Sequence, residues 1–152
     1  MAEISQGKVL VAGGWKVKDG YTTEARSAFI LDLTSKNLSV TGNLRDDGES
    51  MHSCVTFKDK VYGVTTGGAT EIFDPKTNSW TQLQSLSFGQ LKNCDSLFVL
   101  QDSLFLFHST KIYKLSNDTK IWIPQVQNEN LIPFGMVFSD PYPKDRNCAL
   151  VY

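Results

Sequence analysis

Residues 70–83, TEIFDPKTNSWTQL, decide how this chain is read. An alternating run through Ile72 and Phe73 meets Asp74-Pro75, turns through Lys76-Thr77-Asn78, and resumes at Trp80. Proline presets φ for a turn and aspartate bonds to nearby backbone, so the stretch predicts a β-hairpin.

The hairpin recurs. Sliding the chain on itself by 42 residues places Asp74 on Asp32 and Ser116, Phe73 on Leu31 and Leu115, and Trp80 on Leu38 and Trp122. The matching stretches are FILDLTSKNLSV (29–40) and KIYKLSNDTKIWIPQV (111–126). A strand-like run precedes each hairpin: GKVLVAGG (7–14), DKVYGVTTGG (59–68) and DSLFLFHS (102–109). Before the last two lies a further run, SCVTFKD (53–59) and CDSLFVLQD (94–102). The unit is therefore four short strands, a to d, at about the period of a propeller blade. No stretch carries a helical 3.6-residue pattern, and NENLIPFGMVFSDPYPKDR (128–146), with three prolines, reads as loop.

Composition narrows the function. At 152 residues the chain suffices for one domain with a core. Fifteen Lys and Arg against sixteen Asp and Glu leave no basic surplus for phosphate backbones, so nucleic acid is not an expected partner. No run reaches the ~18 apolar residues of a membrane span, so no membrane is expected either. The N-terminus lacks the pattern of a signal peptide. Three cysteines without a CxxC pair argue against disulfides and zinc and for a reducing, cytoplasmic setting. The sequons at Asn37 and Asn117 are then chance matches.

These features resemble the kelch repeat: a diglycine ending strand b, an apolar residue before Asp-Pro, and a tryptophan about six residues on. The diglycines are Gly13-Gly14 and Gly67-Gly68, and the hairpin signature is clearest at Phe73, Asp74, Pro75 and Trp80. The outer repeats depart from it, with Leu38 at one tryptophan position, and in the third repeat FHST for the diglycine and Ser116-Asn117 for Asp-Pro. The resemblance implies an all-β, kelch-type β-propeller with four antiparallel strands per blade and three blades per chain. It places the diglycines near a central channel. Trp80 and Trp122 are expected to pack between their own blade and the next.

The expected single domain runs over 1–152. Blade 1 covers about 7–44 and is completed by the C-terminal strand NCALVY (147–152), because the first repeat shows no strand a of its own. Blade 2 covers about 51–84, blade 3 about 92–127, and a loop 128–146. Propellers have roughly four to eight blades. Three blades therefore call either for a homodimer, six-bladed and joined head to tail by exchange of C-terminal strands, or for association with another chain.

No motif for catalysis emerges. There is no GxSxG, HExxH or phosphate loop, and no paired His and Tyr ligands for copper. Neither a metal, a cofactor nor a catalytic residue is assigned. His108 stands at the diglycine position of the third repeat, and Arg26, Glu24 and His108 lack any spacing that supports catalysis. The cysteines read as small buried hydrophobes, with Cys94 beside Lys92 the only weak candidate for a redox-sensing role.

Binding is the stronger expectation. In kelch propellers the b–c and d–a loops share one face and hold the partner. The first b–c segment, WKVKDGYTTEARS (15–27), supplies Trp15, Lys16, Tyr21 and Arg26, and the d–a segments supply Arg45, Phe134, Tyr142 and Arg146. Aromatic residues and arginine are favoured at hot spots. The three arginines suit an acidic peptide. The expected function is a non-enzymatic adaptor or scaffold that mediates protein–protein interaction. The alternatives are a small-molecule enzyme of the isomerase or lyase type and a truncated kelch protein that competes with a larger relative.

Overall fold

Alternation of apolar and polar residues at period two makes strands, and the turns between them set their order. The computed structural model describes residues 1–45, 50–83, 95–108, 111–118 and 120–127. Fourteen strands and no helix occur among them.

The strands form three antiparallel four-stranded sheets, each in sequence order. Sheet one holds β1 (Ala2–Ser5), β2 (Lys8–Ala12), β5 (Ala28–Asp32) and β6 (Leu38–Val40). Sheet two holds β7 (Met51–Phe57), β8 (Lys60–Thr65), β9 (Thr70–Asp74) and β10 (Ser79–Gln82). Sheet three holds β11 (Ser96–Leu100), β12 (Ser103–His108), β13 (Lys111–Leu115) and β14 (Trp122–Gln127). A separate hairpin, β3 (Trp15–Lys18) with β4 (Tyr21–Glu24), stands between β2 and β5.

The repeat is visible in the backbone. Among the described residues, the third hairpin turn in each sheet contains a left-handed residue: Lys36 (φ 58°), Asn78 (φ 52°) and Lys120 (φ 55°). In sheets two and three the first turn is a pair of left-handed residues, Lys58-Asp59 and Gln101-Asp102. Two-residue turns of this kind match the twist of the strands that they join. The turn aspartates repeat too. Asp32 Oδ1 accepts the backbone N–H of Thr34 and Ser35 at 2.9 Å each, and Asp74 Oδ1 accepts that of Lys76 at 2.9 Å. These N–H groups, that of Ser35 foremost, hold the Asp32 carboxyl below its ordinary value. For Asp74 the Lys60 side chain contributes most, with Nζ at 3.1 Å, and the Lys76 N–H adds to it.

Two apolar layers join the sheets. Between sheets one and two lie Ala2, Leu10, Ala28, Leu44, Met51, Val61, Phe73 and Trp80. Between sheets two and three lie Phe57, Tyr62, Val64, Leu97, Leu104, Leu106, Leu115 and Trp122. The first strands sit side by side, β1 against β7 and β7 against β11.

Three expectations change. Sheet one carries its own first strand. Ala2–Ser5 pairs with β2 through Ala2↔Leu10 and Glu3↔Val9, and β5 takes the other edge of β2. No edge of β2 is left for residues 147–152, which lie outside the described residues along with the loop 128–146. AEIS is short, but it alternates correctly, with Ala2 and Ile4 turned to the core. Second, the b–c loop read at 15–27 contains a hairpin over residues 15–24, because Asp19 (φ 52°) and Gly20 (φ 79°) form a tight Asp-Gly turn. Third, each tryptophan packs on the preceding sheet. The Trp80 indole N–H donates to Thr41 Oγ1 (3.4 Å), and that of Trp122 to Thr70 Oγ1 (2.9 Å). The right-hand neighbour in sequence is not the one each contacts, because alternation turns both side chains toward the face shared with the earlier sheet.

Candidate functional site

The ends of the second strands and the starts of the third share one side of the three sheets with the connections from one sheet to the next. The β3–β4 hairpin projects there. Its register sets Trp15 opposite Glu24, Val17 opposite Thr22 and Lys18 opposite Tyr21. Directly paired residues share a face, so Trp15 and Val17 lie on one face and Lys16, Lys18 and Tyr21 on the other. Trp15 is 66% exposed and Tyr21 is 77% exposed. Lys16 and Val17 are exposed as well. None of these side chains supports the sheets.

The hairpin is fixed at its base. Gly13 N–H donates to Ser27 O (3.0 Å) and Ala25 N–H to Gly14 O (2.8 Å). Glu24 Oε2 accepts the Ser50 N–H (2.5 Å) and the Thr66 hydroxyl (2.9 Å), which ties the hairpin to two connections of sheet two. This anchoring carboxylate has no sequence signal, since its partners lie 26 and 42 residues away. Gly13 (φ 76°) also permits a close approach: a Cβ there would stand 2.4 Å from the Met51 backbone nitrogen. Gly14 and Gly68 are left-handed too, whereas Gly67 is an exposed turn residue.

The arginines are engaged differently from the expectation. Arg26 Nε and Nη2 donate to Leu44 O at 3.2 and 2.6 Å. Arg45 Nε donates to Trp80 O at 2.8 Å. Both guanidiniums thus clamp backbone carbonyls: Arg26 holds the segment after β6 to the start of β5, and Arg45 reaches from that segment to sheet two. They flank a groove of about 590 Å³ that Asn43, Asn78, Trp80 and Gln82 also line. Arg26 and Arg45 come together here, while Trp15, Lys16 and Tyr21 stand on the hairpin. Phe134, Tyr142 and Arg146 lie outside the described residues.

The histidines gather at the junction of sheets two and three. His108 Nδ1 lies 2.7 Å from Asp95 Oδ2, with both residues buried. His52 Nε2 lies 3.0 Å from Asp95 O. The contacts bind the start of β11 to the end of β12 and to β7, which is a structural use of both rings. Cys54, a free thiol, is half-buried on β7 beside β1, while Cys94 and Cys148 lie outside the described residues. No group of three His, Cys, Asp or Glu among the described residues is placed to hold a metal. No helix among them is long and apolar enough to cross a membrane. No family model matches the chain, and no curated protein matches it.

Proposed function

We propose that this chain is a kelch-type propeller module that binds a protein or peptide through the face carrying the β3–β4 hairpin. The observation that carries the reading is the hairpin itself. It holds Trp15, Val17 and Tyr21 in water, on a two-stranded support anchored at its base that adds nothing to either apolar layer. Aromatic anchors with flanking cations suit an interface, because a rigid ring loses little entropy when it is covered. Three four-stranded sheets in sequence order, with first strands side by side, support the propeller arrangement. So do the indole-to-threonine bonds from each sheet to the one before. The module acts as an adaptor or scaffold, with the loop face as its reading surface.

The test uses a random peptide library selected against the intact chain. Peptides recovered on the wild type are expected to bind the Trp15→Ala/Tyr21→Ala double variant at least tenfold more weakly. Unchanged affinity, or failure to recover any peptide, overturns the reading.

A further inference from the structure

Each sheet has a leading face, turned toward the sheet before it, and a trailing face, turned toward the sheet after it. In sheet two the leading face carries the cross-strand row Thr56–Val61–Phe73–Trp80. Val61 and Phe73 are fully buried and Trp80 is 4% exposed. In sheet three Leu104, Leu115 and Trp122 occupy the corresponding places and are likewise buried. In sheet one the same row is Glu3–Val9–Leu31–Leu38. Here Leu38, at the tryptophan position, is 60% exposed, and Val40 on the same face is 71% exposed.

The trailing faces show the mirror situation. In sheet two Val55, Tyr62 and Ile72 of the row Val55–Tyr62–Ile72–Thr81 pack on sheet three, while Thr81 at its end is exposed. In sheet three the equivalent row is Phe98–Phe105–Lys114–Ile123. Phe98 and Phe105 stack at 5.4 Å, and the Lys114 ammonium stands 5.9 Å from the Phe105 ring. Ile123 is exposed, and Leu100, at the end of β11 on this face, is 55% exposed. The described residues thus end, on either side, in a face that leaves apolar side chains exposed at positions which the two internal junctions bury.

We propose that two copies of this chain associate head to tail, the leading face of sheet one in each packing on the trailing face of sheet three in the other. The occupant is a second copy because the two faces complement each other: the leading face of sheet one offers Glu3 with exposed Leu38 and Val40, and the trailing face of sheet three offers Lys114 with exposed Ile123 and Leu100. The leading face of sheet one is built as the counterpart of a trailing face, and the trailing face of sheet three as the counterpart of a leading one. The new junction continues the two already present. Both contacts form together and are related by a two-fold axis, so the assembly closes at six sheets instead of growing. The contact is face to face and exchanges no strand, since β1 already fills the edge of β2. Lys114 is accommodated by its alkyl stem, with the ammonium at the rim. The inference rests on the sheet junctions alone, not on the hairpin's binding role.

The test is solution mass by light scattering across a dilution series. The wild type is expected at twice 17.0 kDa. Leu38→Lys on one face and Ile123→Lys on the other each reduce the mass to a single chain at concentrations where the wild type stays paired. Both sites are exposed in the single chain, so far-ultraviolet circular dichroism should be unchanged, and Leu38→Ser serves if the lysine variant does not fold. An equimolar mixture of the two lysine variants regains pairing, because one wild-type junction can form between them. The Trp15→Ala/Tyr21→Ala variant keeps the doubled mass, which separates this proposal from the binding reading. A single-chain mass for the wild type overturns the proposal: the faces are then covered by residues 128–152 or by another polypeptide. Mass growing without limit, or lysine variants that stay paired, also overturns it.

Discussion

Sheets one and two carry a cross-strand row in the same register on their leading faces and differ in what lies over it. In sheet two, Val61, Phe73 and Trp80 are sealed by sheet one, with Phe73 and Trp80 in ring contact at 5.1 Å. In sheet one, Val9, Leu31 and Leu38 occupy the same register with no described sheet over them. Register alone therefore does not confer burial. An alternating pattern states which residues share a face; the neighbour decides how much that face contributes. Apolar surface counts for stability only when water is removed from it.

The sharpest way to break this comparison is to truncate equivalent positions. Trp80→Ala is expected to cost about 3–5 kcal/mol, the range for a buried tryptophan or phenylalanine. Leu38→Ala, measured where the chain is single, is expected within about 0.5 kcal/mol of wild type, as for an ordinary surface site. Urea unfolding of both variants decides the matter. Equal losses would mean that Leu38 is covered in the folded single chain.

The diglycine gives a second contrast within one motif. Gly13→Ala meets both a left-handed backbone and a close approach to the Met51 backbone nitrogen. Gly14→Ala meets a left-handed backbone (φ 106°) with nothing within 4 Å. The second variant is expected to cost about 1–3 kcal/mol, for backbone strain alone, and the first clearly more. Thermal melts in which Gly14→Ala falls further than Gly13→Ala would contradict the packing at β7.

A smaller difference separates the two indole bonds. Thr70→Val removes the acceptor of Trp122 at 2.9 Å in a buried junction, which should cost about 1–3 kcal/mol. Thr41→Val removes the longer bond to Trp80, at 3.4 Å, and a smaller loss is expected from that contact. The Thr41 hydroxyl also contacts Ala28 O and Gly42 O, so the Trp80 term is read from a double-mutant cycle with Trp80→Phe. A coupling as large at Thr41 as at Thr70 would show that bond length here carries no energetic information.

How much of this was legible follows from the range of each interaction. The hairpin turns recur at a fixed offset because Asp32 and Asp74 bond to residues two or three positions on, so a local pattern recorded them. The four-stranded sheets follow from such hairpins. The strand at Ala2–Ser5 was readable from its alternation, but four residues are too few to stand out without the partner edge. The Asp19-Gly20 turn signal between alternating runs was also present, and it outranked the polar look of the segment. The clamps of Arg26 on Leu44 and of Arg45 on Trp80 were not readable. They span 18 and 35 residues, and nothing in the sequence separates an arginine that holds a carbonyl from one that waits for a ligand. Of the candidate site, Trp15 and Tyr21 stand exposed on the hairpin, and two of the arginines have a structural use.

The smallest expected effect concerns acid. Asp32 and Asp74 both have carboxyls held below the ordinary value of 3.8 by N–H donors and a nearby lysine. A carboxyl depressed in the folded state binds protons more readily when unfolded. Its contribution is therefore present in full above the unfolded value and fades as pH falls below it toward the folded value. Stability should decline as pH drops below about 3.8, and Asp74→Asn should flatten that decline while lowering stability at neutral pH. Asp74 is the better probe because it combines the Lys60 ammonium with a turn N–H, whereas Lys8 Nζ lies 4.0 Å from Asp32. In Asp74→Asn the turn keeps an oxygen acceptor for the Lys76 N–H, so what is lost is chiefly charge. Added salt should then weaken the acid dependence of the wild type more than that of the variant. If the two respond alike, the N–H donors and not Lys60 set the Asp74 carboxyl, and the turn geometry alone accounts for the repeated aspartate.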